Sequence, residues 1–85
     1  MRAVFVMLKV EPGTLHKVAD AIADLEIVSE MYSVVGDYDL LAKVYVDSFD
    51  DLAEMVNDRI QKVPHIRETK TVITFDAYDV PKPKS

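Results

Sequence analysis

The chain has 85 residues, 49% of them hydrophobic and 29% charged, with 15 acidic against 10 basic side chains and a net charge of −5. That composition describes one folded domain; the acidic balance argues against autonomous DNA or RNA binding, which usually needs a basic face. There is no cysteine, which removes disulfides, thiolate metal sites and a cysteine nucleophile, and no apolar run is long enough for a membrane span. The expected compartment is the cytoplasm.

Ala3-Val4-Phe5-Val6-Met7-Leu8 is a continuous run of apolar, β-favouring residues and reads as a strand covered on both faces. Glu11-Pro12-Gly13 ends it, because proline lacks an N–H and glycine permits a sharp reversal. The period then becomes helical: Leu15, Val18, Ala19, Ile22 and Leu25 form one stripe, with Thr14 placed to cap it. Residues 27 to 35 return to strand character. Gly36-Asp37 interrupts them, and Tyr38 to Val46 follows so closely that a hairpin is expected.

Asp47-Ser48 opens a second helix, with Ser48 as N-cap and Asp51 three residues on. Leu52, Val56, Ile60 and Val63 mark its buried stripe beside Met55, and Pro64 closes it. Ile66 to Ala77 alternates as a fourth strand, with Thr69, Thr71, Ile73 and Phe75 on one face and Lys70, Val72, Thr74 and Asp76 on the other. The domain is expected over residues 1–78, followed by a loose tail at 79–85.

The order βαββαβ gives an α+β, ferredoxin-like fold, in which right-handed crossovers put both helices on one face of a four-stranded antiparallel sheet. The first and third strands, the most apolar, belong at its centre. Two helices cover one side only. Yet Ala3, Phe5 and Met7 on the first strand and Leu41 and Tyr45 on the third are apolar on the opposite side. An apolar sheet face of several hundred Å² left in water is rare in a soluble monomer. Packing against the same face of a second copy resolves this, giving a homodimer of the dimeric α/β-barrel type that buries roughly 2,000 Å² or more.

The order of elements, the Glu11-Pro12-Gly13-Thr14 lead into the first helix, the Val34-Val35-Gly36-Asp37-Tyr38-Asp39-Leu40-Leu41 hairpin and the closing Thr69-Lys70-Thr71-Val72 strand together resemble the effector-binding (RAM) domain of the Lrp/AsnC regulators. The likeness spans residues 2 to 78. Family members usually carry a helix-turn-helix domain ahead of this module, whereas the sequence here starts at the first strand and resembles a stand-alone form. The resemblance implies dimers that assemble further, amino-acid effectors held at contacts between dimers, and pairing with a full-length Lrp/AsnC-type regulator. With no recognition helix and a negative net charge, no direct nucleic-acid contact is expected, and neither a membrane nor a cofactor is expected.

A free amino acid needs acceptors for its ammonium, donors for its carboxylate and a shaped cavity for its side chain. The hairpin offers them. Gly36 permits close backbone approach, Asp37 and Asp39 accept from the ammonium, turn N–H groups form an anion-binding concavity, and Tyr38 supplies a wall. Ser33 stands just before the turn. The family's final strand lines the same cleft, which brings in Thr69 and Thr71. The plainer reading is that Gly36-Asp37 makes a turn and the threonines serve β-structure. His16 and Asp20, at i and i+4, lack further ligands and belong to a solvated helix face. Lys43, alone among apolar neighbours, is expected to snorkel or to pair with an acid across the interface. Two rival functions remain: a small cofactor-independent enzyme of the monooxygenase or isomerase type, which the same barrel also hosts, and a purely structural oligomerisation module.

Overall fold

The computed structural model describes residues 2–83. Four strands and two helices follow in the expected order: β1 (Arg2–Val10), α1 (Leu15–Ala23), β2 (Val28–Ser33), β3 (Leu40–Val46), α2 (Phe49–Ala53) and β4 (Ile66–Ile73), with α2 running directly into a π-helical segment, Glu54–Ile60. The strands form one antiparallel sheet in the order β2-β3-β1-β4, so the two most apolar strands are central.

The register explains the core. Val4, Val6 and Leu8 of β1 lie opposite Val44, Ala42 and Leu40 of β3, and opposite Ile73, Thr71 and Thr69 of β4. Residues directly opposite in an antiparallel pair share a face. That face carries the buried cluster: the β1 and β3 residues pack with Val18 and Ile22 of α1 and with Val56, Ile60 and Val63 from the second helical region. Both helices therefore cover one side. The stripe Val18–Ile22 is the inward edge of α1, and the four-residue spacing of Leu52, Val56 and Ile60 is the inward edge of the second helix.

Several local expectations change. The Thr14 hydroxyl does not cap α1; it donates backward to the Glu11 carbonyl at 2.6 Å, closing the β1–α1 turn. Ser48 does cap α2, accepting from the Asp51 N–H at 3.2 Å. The second helix widens after Ala53, where the Gln61 N–H reaches the Val56 carbonyl five residues back at 3.0 Å, and it ends before Pro64. β4 ends at Ile73 rather than Ala77, because its partner β1 starts at Arg2 and Val4 already lies opposite Ile73. β2 covers Val28–Ser33 rather than the whole of 27 to 35. Of the tail expected over 79–85, residues 84 and 85 lie outside the described residues.

The opposite side of the sheet has no cover in the protomer. Ala3, Phe5, Met7, Leu41 and Lys43 are half-buried there, and Tyr45, Tyr32 and Val72 are more exposed, at 40%, 53% and 39%. A bulge in β2 between Val28 and Glu30 shifts its parity, so that Glu30 stands opposite Lys43 on this open side. The two form an ion pair at 3.3 Å. Lys43 is thus neutralised by a neighbouring strand of its own chain, not by an acid across an interface.

Candidate functional site

The residues of the expected site do not all meet. The β2–β3 loop holds Gly36, Asp37, Tyr38 and Asp39 together at one end of the sheet, with Ser33 at the loop's start, opposite Leu40. Gly36 has φ +131° and open space where a Cβ would stand, so glycine is required there by the backbone rather than by crowding. Asp39 is the most constrained of the set. Its backbone N–H donates to the Leu8 carbonyl at 2.9 Å, its carbonyl accepts from Val34 at 3.0 Å, and its carboxylate accepts from the Val10 N–H at 2.9 Å. One carboxylate oxygen therefore finishes the β1 ladder where β3 has run out. Among the described residues, the loop's other N–H groups, from Val35 to Tyr38, have no such partner within the chain and are free to receive an anion.

Thr69 and Thr71 lie on β4, at the same end of the sheet as the loop but one strand further away: Leu8 stands between Leu40 and Thr69 in the same row. Both face the helix layer, and the Thr69 hydroxyl accepts from the Gln61 side-chain amide at 3.3 Å. The threonines and the hairpin therefore share an end of the sheet without lining a common cavity in the protomer.

What does line a cavity beside Asp39 is the β1–α1 turn. A hollow of about 310 Å³ is bounded by Val10, Glu11, Pro12, Gly13, Leu15 and Asp39. In the sequence, 11–13 read as a break and as part of the family likeness, not as part of a site. The signal lies in the topology: β1 and β3 are antiparallel neighbours, so the residues after Leu8 must pass those before Leu40. Two features hold this turn. Gly13 takes φ +79°, and Glu11 is fastened to the start of β4 twice, by its N–H to the His65 carbonyl at 2.9 Å and by its carboxylate to the His65 ring at 2.6 Å. Two acidic residues thus stand in the wall of the hollow, Asp39 with a carboxylate oxygen bonded to the Val10 N–H and Glu11 with a carboxylate oxygen bonded to the His65 ring, beside the apolar Val10 and Leu15. That pattern suits a small cation-bearing molecule with an apolar body.

No group of three or more metal-ligating side chains occurs among the described residues, and no helix there is long and apolar enough to cross a membrane. Among the described residues, three titratable groups are displaced from their ordinary values, and all lie on the open face. The Tyr32 hydroxyl, which donates to the Glu30 carboxylate at 2.8 Å, and then Lys43 hold Glu30 below the usual carboxylate range. Tyr45, whose ring centroid is 5.2 Å from the ammonium, and then Glu30 hold Lys43 above its usual range. Tyr32 is raised by the same bond to Glu30.

A family model described as the Lrp/AsnC ligand binding domain matches residues 3–82. An uncharacterised HTH-type transcriptional regulator of Pyrococcus abyssi is 28% identical over 75 residues, which are 85% of this chain and 50% of that protein. The chain spans about half the length of the curated relatives it matches. A crystal structure of a Thermus thermophilus protein superposes with a TM-score of 0.88 at 32% identity, covering 94% of this chain and 100% of that one. A transcriptional regulator of Neisseria meningitidis, solved as an L-Met complex, has the same fold with a TM-score of 0.84 at 10% identity, covering 93% of this chain and 53% of that one.

Proposed function

The chain belongs to the Lrp/AsnC ligand-binding domain family, and from that premise we propose that it senses a free amino acid and transmits the signal through self-association to a DNA-binding regulator. The family is that of a regulator's ligand-binding domain and the matched relatives are named as transcriptional regulators, so an enzyme of the same barrel class is set aside.

The observation that carries the amino-acid reading is the juxtaposition at one end of the sheet. Glu11 and Asp39, whose carboxylates are acceptors for an ammonium, line one hollow with the apolar Val10 and Leu15, while the N–H groups of the 35–38 loop, donors for a carboxylate, stand outside it in the segment that leads into Asp39. The neighbour solved with L-Met supports the ligand class. Ser33, Asp37, Tyr38, Thr69 and Thr71 lie around the same end but outside that hollow, and they join the site where a second protomer or dimer brings its own copy of this end alongside. A ligand held at such a junction favours one assembly over another, which is what coupling to a regulator requires.

A thermal-shift panel of the twenty amino acids tests this. One or a few members should raise the melting temperature; at a ligand concentration of 100 Kd the stabilisation is about 2.7 kcal/mol. A flat panel at millimolar ligand contradicts the proposal.

A further inference from the structure

The open face of the sheet is not the whole of the uncovered apolar surface. Three of the most exposed large hydrophobic side chains lie beyond β4, in the extended segment that follows it: Phe75 at 89%, Tyr78 at 83% and Val80 at 77%. Among the described residues, this segment makes no backbone hydrogen bond with the rest of the chain beyond its first two residues.

Those first two residues are held firmly. The Thr74 hydroxyl donates to the Ala3 carbonyl at 2.6 Å. The Arg2 guanidinium donates to the Thr74 and Phe75 carbonyls and stands 5.9 Å from the centroid of the Phe75 ring. This clamp fixes where the tail departs. Phe75 and Ala77 share a hollow of about 450 Å³ with Ala3, Lys43 and Tyr45, all three on the open face. Tyr78 and Val80 follow at one parity, two residues apart, as successive side chains on one side of an extended strand do. The tail is therefore delivered along the border of the open face, with Tyr78 and Val80 beyond the reach of its own protomer.

The area calls for a large partner. A compact monomer of 9.6 kDa exposes about 5,100 Å², whereas this protomer exposes 6288 Å², an excess of about 1,200 Å². An obligate homodimer of the smallest kind removes roughly 1,000 Å² from each partner. Part of that excess is the extended tail itself, which is continuous with the open face and, together with it, supplies apolar area of the order such an interface needs.

We infer that residues 75–80 form an exchanged arm: in the dimer, Tyr78 and Val80 of each copy pack on the other copy at the border of its open face. This rests on the self-association proposed above and assigns to the tail a share of that interface. The arm is isologous, since each protomer gives one and receives one.

The chain has no tryptophan, so Tyr78→Trp in the whole 85-residue chain places a single reporter on the arm. Its emission and the sedimentation mass are followed together across a dilution series. Emission should move to the blue with the same midpoint at which the mass doubles. In a second variant, Tyr78→Asp with Val80→Asp, the dimer Kd should rise about tenfold or more while the far-UV spectrum is retained. Emission of a water-exposed indole in a species of dimer mass overturns the arm, and so does an unchanged Kd in the doubly charged variant; both leave self-association standing. A blue emission already present in the monomer also overturns it, since the arm then folds on its own protomer. A wild-type chain that keeps the mass of one protomer at every concentration removes self-association itself, and the arm with it.

Discussion

The two faces of the sheet are made by alternate residues of the same strands, and they are finished to different degrees. On the helix side, Val4, Val6, Leu8, Ala42 and Val44 are all fully buried. On the other side, their immediate neighbours Phe5, Met7, Leu41 and Lys43 remain half in water, and Tyr45 further out. The chemistry of the two sides differs as well. The buried core of the covered side is purely aliphatic, with no buried polar or charged residue among the described ones. The open side mixes aromatic and aliphatic groups with a satisfied polar cluster of Lys43, Glu30, Tyr32 and Tyr45. One face specifies the protomer, and the other is the one that the proposed self-association would cover.

The sharpest way to break this comparison is to injure each face in turn. Leu8→Ala, on the covered face, removes a fully buried side chain and should cost about 2–5 kcal/mol. For a domain of this size each kcal/mol lowers the melting temperature by about 4–8 °C. Met7→Glu, one residue earlier on the open face, should leave a folded chain of monomer mass. Circular dichroism and sedimentation on the pair separate the two outcomes. If Met7→Glu unfolded the chain as Leu8→Ala is expected to, the division of labour between the faces would be wrong.

A smaller effect is expected at Asp39, which joins the loop to β1. Asp39→Ala leaves the Val10 N–H without its acceptor and should cost about 1–3 kcal/mol. Asp39→Asn keeps an acceptor and removes the charge. Stability close to wild type in the asparagine variant, with loss of the amino-acid thermal shift, would assign the carboxylate to the ligand as well as to the strand. Equal destabilisation in both variants would make the charge itself structural.

The smallest effect concerns the open-face cluster. Glu30 is held low, so its contribution is present above its unfolded pKa and disappears as pH falls through the lower folded value. Lys43 and Tyr32 are held high, so theirs are present below their unfolded values and disappear as pH rises through the higher folded ones. The cluster therefore contributes between the carboxylate range and the alkaline range. The melting temperature of Glu30→Gln should lie slightly below wild type at neutral pH, and the gap should close on acidification below the carboxylate range. A gap independent of pH would show that the charge on Glu30 does not matter.

How much of this was legible in the sequence follows from the range of the forces involved. The helix stripes, the strand order and the incompleteness of one sheet face are statements about period and count, and Val18, Ile22, Val56 and Ile60 stand in the core as their spacing requires. The Ser48 cap is local and was equally readable. Thr14 was not, because whether a hydroxyl caps forward or donates backward depends on the turn set by Glu11 and Gly13. The partner of Lys43 was hidden by a bulge at Ser29, a one-residue slip that no periodicity reveals, although the Ser29 hydroxyl bond to the Lys43 carbonyl at 3.1 Å accompanies it. The 310 Å³ hollow was missed because its walls come from two loops far apart in the chain, whereas the hairpin's own Gly36-Asp37-Tyr38-Asp39 stood out as a contiguous motif.

The covering of the open face by a second copy is tested most directly by sedimentation equilibrium of the unmodified chain at micromolar concentration. A mass of two chains of 9.6 kDa, or of a higher even number, is expected. A single folded species at 9.6 kDa, with Phe5, Met7 and Tyr45 still facing water, would contradict it.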